Sequence, residues 1–211
     1  MKLARAIRAF WAVMTEKEGI PRADADRLTG LYTKEAAERK ITAALENGGN
    51  GALLVLDLDR FRNVNLRLGE DTGDKLLKDT AAELMNRFRN TDVLCRTGED
   101  EFLIWMQNVQ QPEWTMNRAR MLLDTLHRWI GNGLTSIPVS GSIGIAFSGS
   151  NGFQELYRMA GIAMYCAKAA GGNRAMLFTE ELREQLKAAP PAAPGDGTRT
   201  IAEMNGMEER A

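Results

Sequence analysis

Residues 96–102 read Arg-Thr-Gly-Glu-Asp-Glu-Phe, and the apolar triplets at 93–95 (Val-Leu-Cys) and 103–105 (Leu-Ile-Trp) lie on either side of them. Apolar and β-branched residues around a short polar tip that contains glycine predict two strands joined by a tight turn. Three consecutive carboxylates at such a tip repel one another unless a cation lies beside them. The stretch therefore indicates either a solvated acidic loop or a site for a metal ion or phosphate.

A second acidic segment follows an apolar run. Residues 51–59 read Gly-Ala-Leu-Leu-Val-Leu-Asp-Leu-Asp, so that Asp57 and Asp59 come at the end of an almost unbroken apolar stretch. Such a run predicts a central strand that is buried on both faces. A carboxylate at the carboxyl end of a central strand is well placed to contact a ligand.

The remaining periodicities predict helices and strands in alternation, which makes an α/β (α+β) fold with a central sheet of about five strands flanked by helices. The apolar stripe of the 112–130 helix includes Trp129 and is interpreted as core. Helices are predicted over 34–47, 61–68, 74–89, 112–130 and 153–170, and strands over 51–59, 135–148 and 174–178 in addition to the hairpin at 92–107.

Both ends of the chain differ from this central part. Residues 1–18 have an apolar stripe interrupted by basic residues, which predicts an amphipathic helix and not a signal peptide or a membrane span. That helix is expected to pack on its own domain, on a second copy or on a partner protein, with a membrane surface as the alternative. We divide the chain into a helix and linker (1–23), one domain (24–180), and a C-terminal helix end with a Pro/Ala/Gly-rich tail (181–211) that is expected to be mobile.

Composition excludes several functions. The 27 basic and 28 acidic residues give a net charge of −1 without a basic block, so nucleic acid is not an expected partner. Cys95 and Cys166 lie in apolar contexts without metal-binding spacing and are interpreted as reduced core residues of a cytoplasmic protein. The one histidine, His127, makes a histidine-based zinc cluster improbable, and we interpret it as a surface or hydrogen-bonded residue.

Five motifs, in the right order over residues 24–180, resemble those of the GGDEF domain, the fold of bacterial diguanylate cyclases. Agreement of five co-linear motifs is far more specific than a single short match. Residues 26–31 resemble DxLTGL, 57–65 resemble DxDxFKxxN, Gly69 and 73–74 match the ends of GHxxGD, 96–102 resemble RxGGDEF, and 142–144 with 163–168 resemble SIG and AxYxAK.

The resemblance implies a reaction in which two GTP molecules, one on each subunit of a homodimer, are joined as cyclic di-GMP. Each 3′-hydroxyl attacks the α-phosphate of the other nucleotide, and two Mg²⁺ ions lower the pKa of the hydroxyl and neutralise the leaving pyrophosphate. By motif position, the metal ligands are Asp57, the Leu58 carbonyl and Asp100. Glu101 assists deprotonation or binds the second metal ion.

The resemblance also implies a binding surface for the nucleotide. Backbone amides over 59–62, which include those of Phe61 and Arg62, cradle the phosphates at the start of a helix. Asn65 and Asp74 hydrogen-bond the guanine edge, because a carboxylate accepts from its N1 and N2 donors. Lys168 contacts phosphate.

Four residues depart from the family pattern within this machinery. Glu99 replaces the second glycine of GGDEF, Glu70 the histidine of GHxxGD, Gly161 the aspartate of ADxAxY, and Gly172 the arginine of AKxxGRN. A carboxylate about 5 Å from a phosphate charge is opposed by about 3 kcal/mol at an effective dielectric of about 20. A left-handed turn at Glu99 would add about 1 kcal/mol. Together they predict a cyclase impaired by roughly three decades, unless Glu99 extends into solvent and leaves activity intact.

One regulatory motif is retained. Arg89 and Asp92 form an RxxD motif whose aspartate lies six positions before Gly98. At this spacing the family has the site that binds its product for feedback inhibition. Arginine can clamp phosphate and stack on guanine. Arg118 or Arg120 supplies a second clamp. The first hypothesis is therefore a degenerate domain that binds cyclic di-GMP, and GTP with Mg²⁺; the alternatives are an active cyclase and a structural partner-binding domain.

Overall fold

The computed structural model describes residues 20–109, 111–131 and 135–188. The N-terminal amphipathic helix and the tail beyond 188, for which the sequence makes predictions, lie outside these residues. The helices are α1 (Lys34–Glu46), α2 (Phe61–Leu68), α3 (Glu70–Arg87), α4 (Pro112–Leu126), α5 (Phe153–Ala169) and α6 (Glu180–Ala188). The strands are β1 (Gly51–Asp59), β2 (Val93–Arg96), β3 (Glu101–Gln107), β4 (Arg128–Gly131), β5 (Ser136–Phe147) and β6 (Arg174–Leu177).

The six strands form one sheet in the order β2-β3-β1-β5-β4, and β6 also pairs with β5. Strand β1 is central, antiparallel to both β3 and β5, and all nine of its residues are buried. β6 is parallel to β5. This confirms the predicted α/β class, with one strand more than the five expected.

The extra strand corrects the predicted 112–130 helix. Helix α4 ends at Leu126, and Arg128–Gly131 pairs antiparallel with the start of β5. Trp129 is consequently 67% exposed and does not belong to the core stripe. Helical spacing predicts Trp129 in the core stripe. Trp and Ile favour strands, however, and the Gly-Asn-Gly sequence at 131–133 is a typical hairpin signal.

Helix α3 begins at Glu70, four residues earlier than predicted. The N–H of Gly69 donates to the Asn65 carbonyl and ends α2, and the positive φ of Gly69 (89°) turns the chain directly into α3. Two acidic residues, Glu70 and Asp71, lie in the first turn, where the helix dipole favours negative charge.

The side chains of β1 alternate between two hydrophobic clusters, one on each face of the sheet. Leu54, Leu56 and Leu58 belong to the cluster that includes residues of α2, α3 and α4, whereas Leu53 and Val55 belong to the one that includes residues of α1, α5 and α6. Because side chains alternate along a strand, Asp57 and Asp59 follow Val55 onto the face covered by α5. The pleat thus decides which helix the acidic end of β1 faces.

Both cysteines are free thiols, as predicted. Cys95 is fully buried in β2, where burial raises the pKa of its thiol, and Cys166 is partly buried in α5. His127 is exposed at the end of α4, with its Nδ1 2.7 Å from Nδ2 of Asn173.

Candidate functional site

Three acidic residues meet at one end of the sheet. Asp57 lies opposite Glu101 of β3 and opposite Ser142 of β5 in the strand register. The N–H of Leu58 donates to the carbonyl of Asp100 at 3.2 Å, so the acidic turn is attached to the end of β1. The structure therefore brings together the residues that the sequence predicts as metal ligands and catalytic groups.

Asp57 is 5% exposed and forms an ion pair with Lys168 of α5, with Nζ 2.6 Å from Oδ1. Burial raises the pKa of Asp57, the charge of Asp100 raises it further, and the opposing effect of Lys168 is smaller. A further cation at this end of β1 would therefore stabilise the charged form of Asp57.

A glycine in β5 allows this ion pair to form. A Cβ at Gly144 would lie 1.9 Å from the Ala160 carbonyl oxygen and 2.2 Å from the backbone nitrogen of Met164. Only glycine leaves room for α5 to lie this close to the sheet. The close approach brings Lys168, near the end of α5, against the buried end of β1.

The oxygen donors in this place suit Mg²⁺. Two carboxylates, of Asp57 and Asp100, and the Leu58 carbonyl are hard ligands, and Mg²⁺ commonly keeps several waters beside one or two carboxylates. Among residues 20–109, 111–131 and 135–188, no three His, Cys, Asp or Glu side chains are grouped as a metal site. A magnesium ion here would therefore depend on water and nucleotide phosphate for its remaining ligands.

Glu101 is held by two hydroxyl groups. Its Oε1 accepts from Thr97 Oγ1 and from Tyr157 Oη, each at 2.5 Å. Tyr157 is itself stacked on Phe153 at 5.9 Å, and the Lys34 ammonium lies 4.9 Å from its ring centre. Sequence reasoning missed Tyr157, since nothing in the sequence links this helical residue to a carboxylate 56 positions earlier.

Asp59 is a second buried carboxylate at the same edge, and the sequence analysis gave a specific role only to its backbone amide, in the phosphate cradle. It accepts hydrogen bonds from the hydroxyls of Ser140 (2.6 Å) and Ser142 (2.7 Å) and from the Asn173 N–H (2.9 Å). A Cβ at Gly172, whose φ is +72°, would lie 2.8 Å from Asp59 Oδ2. The glycine that replaces the family arginine therefore fits a position where any side chain meets this carboxylate.

The predicted nucleotide-binding residues lie on α2 and α3. Phe61 is 6% exposed, so its side chain belongs to the core and only its backbone could contact phosphate, whereas the side chain of Arg62 is exposed. Asn65 Oδ1 is buried without a hydrogen-bond partner in the described part of the chain, and a Cβ at Gly73 would lie 1.9 Å from it. Asp74 is exposed, so its carboxylate can accept from the N–H donors of a guanine edge, whereas Asn65 Oδ1 would have to turn away from Gly73 to do so.

The backbone at Glu99 contradicts part of the prediction for this residue. Among non-glycine residues in the described ranges, positive φ occurs at Arg60, Asn108 and Asn173, so no left-handed strain arises at Glu99. The turn spans four residues, 97–100, which is long enough to avoid a left-handed conformation there. Arg96 fixes the turn by donating to the Glu99 carbonyl at 2.8 Å, and Glu99 itself is exposed.

The RxxD motif lies between α3 and β2. Asp92 accepts from the Arg89 N–H at 2.9 Å and from the Gln107 N–H at 3.2 Å, so its carboxylate stabilises the local backbone. The guanidinium carbon of Arg89 lies 5.4 Å from the ring centre of Trp114, and that of Arg118 lies 4.9 Å from it.

Of the two candidates for a second clamp, Arg118 is thus the one that shares an aromatic ring with Arg89, while Arg120 is exposed on the same helix. Sequence reasoning missed Trp114 as the contact between them. Its spacing of four residues from Arg118 on α4 is the one available signal, because such residues lie on one helix face.

Comparison with known proteins agrees with this geometry. The profile of the family described as "Diguanylate cyclase, GGDEF domain" matches residues 23–174, nearly the whole of the region that the motifs delimit. The chain therefore belongs to the GGDEF domain family, the domain class of cyclic di-GMP signalling.

Similar proteins with curated names include both diguanylate cyclases and cyclic di-GMP phosphodiesterases. The chain is 33% identical over 168 residues to the cyclic di-GMP phosphodiesterase PdeR of Escherichia coli, covering 78% of this chain and 25% of PdeR. It is 34% identical over 161 residues to the diguanylate cyclase DgcP of Pseudomonas aeruginosa, covering 71% of this chain and 23% of DgcP. The chain thus spans about a quarter of the length of these relatives.

Solved structures confirm the fold. The GGDEF domain of TpbB (YfiN) from Pseudomonas aeruginosa matches with a TM-score of 0.70 and 26% identity, covering 77% of this chain and 99% of that one. The GGDEF domain of DgcB from Caulobacter crescentus, in complex with cyclic di-GMP, matches with a TM-score of 0.68 and 22% identity, covering 74% and 96%. In the region that the structure describes, no helix has the length and apolarity required to cross a bilayer.

Proposed function

We propose that this GGDEF domain is a cytoplasmic cyclic di-GMP receptor with weak or no cyclase activity. Cyclic di-GMP binds at Arg89 and Asp92, and a GTP half-site with Mg²⁺ remains at Asp57 and Asp100. The observation that carries the proposal is the pair of guanidinium groups, of Arg89 and Arg118, against one indole ring, with Asp92 accepting from the Arg89 N–H. Guanidinium groups bind phosphate bidentately and stack on planar bases.

The half-site retains the groups needed to hold a nucleotide. Mg²⁺, when bound, would supply charge neutralisation for the triphosphate. Asp57, Asp100 and the Leu58 carbonyl would hold the metal, and Lys168, already within 2.6 Å of Asp57, would contact phosphate. Asn65 and Asp74 would accept from the guanine edge, which would select guanine over adenine.

Two features support impaired turnover. Glu99 adds a carboxylate where a phosphate must approach, and Gly172 offers no guanidinium to hold it. Oε1 of Glu101 is engaged by the hydroxyls of Thr97 and Tyr157, so Oε2 is the oxygen left to take a proton or bind a metal ion. Because head-to-tail synthesis needs two facing chains, turnover would further require at least a transient homodimer.

Titration calorimetry with cyclic di-GMP tests the binding function. Wild-type protein is expected to bind, and Arg89→Ala to lose affinity by at least tenfold, because charge-assisted contacts to phosphate are worth about 1.5–3 kcal/mol. Arg120→Ala is the matched control, since this arginine lies on the same helix as Arg118 and is exposed. Equal heats for wild type and Arg89→Ala, or none in wild type, would contradict the proposal.

An active diguanylate cyclase is the second candidate. It is favoured by the exposure of Glu99 and by the absence of positive φ at this residue, both of which allow the side chain to extend into solvent. Incubation with GTP and Mg²⁺ followed by chromatography separates the two candidates. Abundant cyclic di-GMP would establish the enzyme, and its absence from a dimeric sample would remove it.

A further inference from the structure

Trp114 contacts the guanidinium group of Arg89, in the RxxD motif, and that of Arg118, on α4. We propose that Trp114 is a positioning residue that holds Arg89 and Arg118 as a paired clamp for a ligand with two phosphodiester groups. This inference rests on the proposed function and adds to it Trp114, which lies outside the family motifs. Both guanidinium carbons lie within 5.4 Å of its ring centre, inside the range of a cation–π contact.

The two arginines reach the ring from different elements. Arg89 follows the end of α3, whereas Arg118 extends from α4 and donates through Nη1 to the Arg87 carbonyl at 2.6 Å. Arg87 is the last residue of α3, where free carbonyl groups attract a cation. Trp114 is partly buried against the core, so the ring is a fixed surface on which both side chains rest.

Two like charges on one ring favour an anionic ligand. In the part of the chain described by the structure, no carboxylate forms an ion pair with Arg89 or Arg118. Both oxygens of the neighbouring Asp92 accept backbone N–H groups instead. The aromatic face offsets part of the repulsion between the guanidiniums, and a ligand with two separated negative charges offsets the rest.

A clamp held by the ring is expected to prefer a cyclic dinucleotide over a mononucleotide. A paired clamp engages two phosphodiester groups at once, and a ligand with one phosphate uses only half of it. Fixing the two side chains in advance also lowers the entropy lost on binding. Removal of the ring is therefore expected to reduce affinity for cyclic di-GMP more than affinity for GMP.

Calorimetry on Trp114 variants tests the inference. Trp114→Leu keeps an apolar side chain but loses the aromatic face, and is expected to bind cyclic di-GMP about tenfold more weakly. Trp114→Phe keeps a ring and is expected to stay within about threefold of wild type. Trp129→Leu is the matched control, because Trp129 is 67% exposed on β4, and it is expected to bind as wild type does.

A purely structural role would make the Leu and Phe variants alike. Thermal denaturation identifies a variant that fails to fold, and in that event Trp114→Met provides the same apolar comparison. Wild-type affinity in folded Trp114→Leu, or equal losses in the Leu and Phe variants, would overturn the inference. If Arg89→Ala loses binding while Trp114→Leu retains it, the inference fails and the proposed function stands. Absence of binding in wild type would overturn both.

Discussion

At the scale of single residues, two buried carboxylates at the end of β1 are stabilised in different ways. Asp57 has an ammonium partner, Lys168, at 2.6 Å, and is close to the negative charge of Asp100. Asp59 has no charged partner among its hydrogen bonds and depends on two serine hydroxyls and one backbone N–H. The first carboxylate is therefore suited to bind a cation, whereas the second stabilises the turn that contains Gly172.

Gly172→Ala is expected to lower the free energy of unfolding by about 1–3 kcal/mol, because it combines a left-handed backbone with overpacking. The added Cβ would lie 2.8 Å from Asp59 Oδ2, a group fixed by its three donors. Urea denaturation measures the change. Gly48→Ala is the control, because Gly48 has a similar positive φ (+77°) and no atom lies within 4 Å of a Cβ there. Equal stability of the two variants would contradict the packing described for Asp59, and the same strain is expected to accompany any attempt to restore arginine at this position.

At the scale of elements, α5 connects the site to the C-terminal helix. Its inner face approaches β5 at Gly144, and its end carries Lys168 to Asp57. At its start, Glu155 Oε1 lies 2.7 Å from Arg183 Nη2 of α6. Arg183 also lies 4.9 Å from the ring centre of Phe178, so one side chain fixes α6 against both α5 and the end of the sheet.

Glu155→Gln is expected to lower the melting temperature at pH 7, with a loss of about 1 kcal/mol for a partly exposed pair. Burial raises the pKa of Glu155, but hydrogen bonds and charges of Arg158 and Arg183 outweigh it, and the pKa is lowered. A lowered pKa stabilises the fold above the ordinary value, and this contribution is lost as the pH falls through the folded-state value. Thermal denaturation is therefore expected to show a difference from wild type that is full at pH 7 and shrinks below about pH 4.

Glu180→Gln is the matched control for this prediction. Glu180 also pairs with Arg183, at 3.3 Å, but its side chain is 65% exposed, so little change in melting temperature is expected. A loss in Glu155→Gln that is the same at pH 3 and pH 7 would show that the ion pairs of Glu155 do not stabilise the contact between α5 and α6.

At the scale of the whole molecule, the sheet was largely predictable and its side-chain contacts were not. The unbroken apolar run of β1 fixed its bounds at Gly51–Asp59, and the motif order indicated which acidic residues would meet. β4 was missed because Trp129 and Ile130 fit a helical period as well as a strand. Contacts such as Tyr157 with Glu101 join elements distant in sequence, and no local pattern encodes them.

Cyclic di-GMP formation from GTP and Mg²⁺, compared in wild type and Glu99→Gly, is the decisive measurement for the proposal that this GGDEF domain binds nucleotide but hardly turns it over. Without the backbone strain, repulsion of about 3 kcal/mol corresponds to roughly a hundredfold in rate. We predict little or no product from wild type and a rise of about that size in Glu99→Gly. Rapid product formation by wild type, unchanged by the substitution, would contradict the proposal.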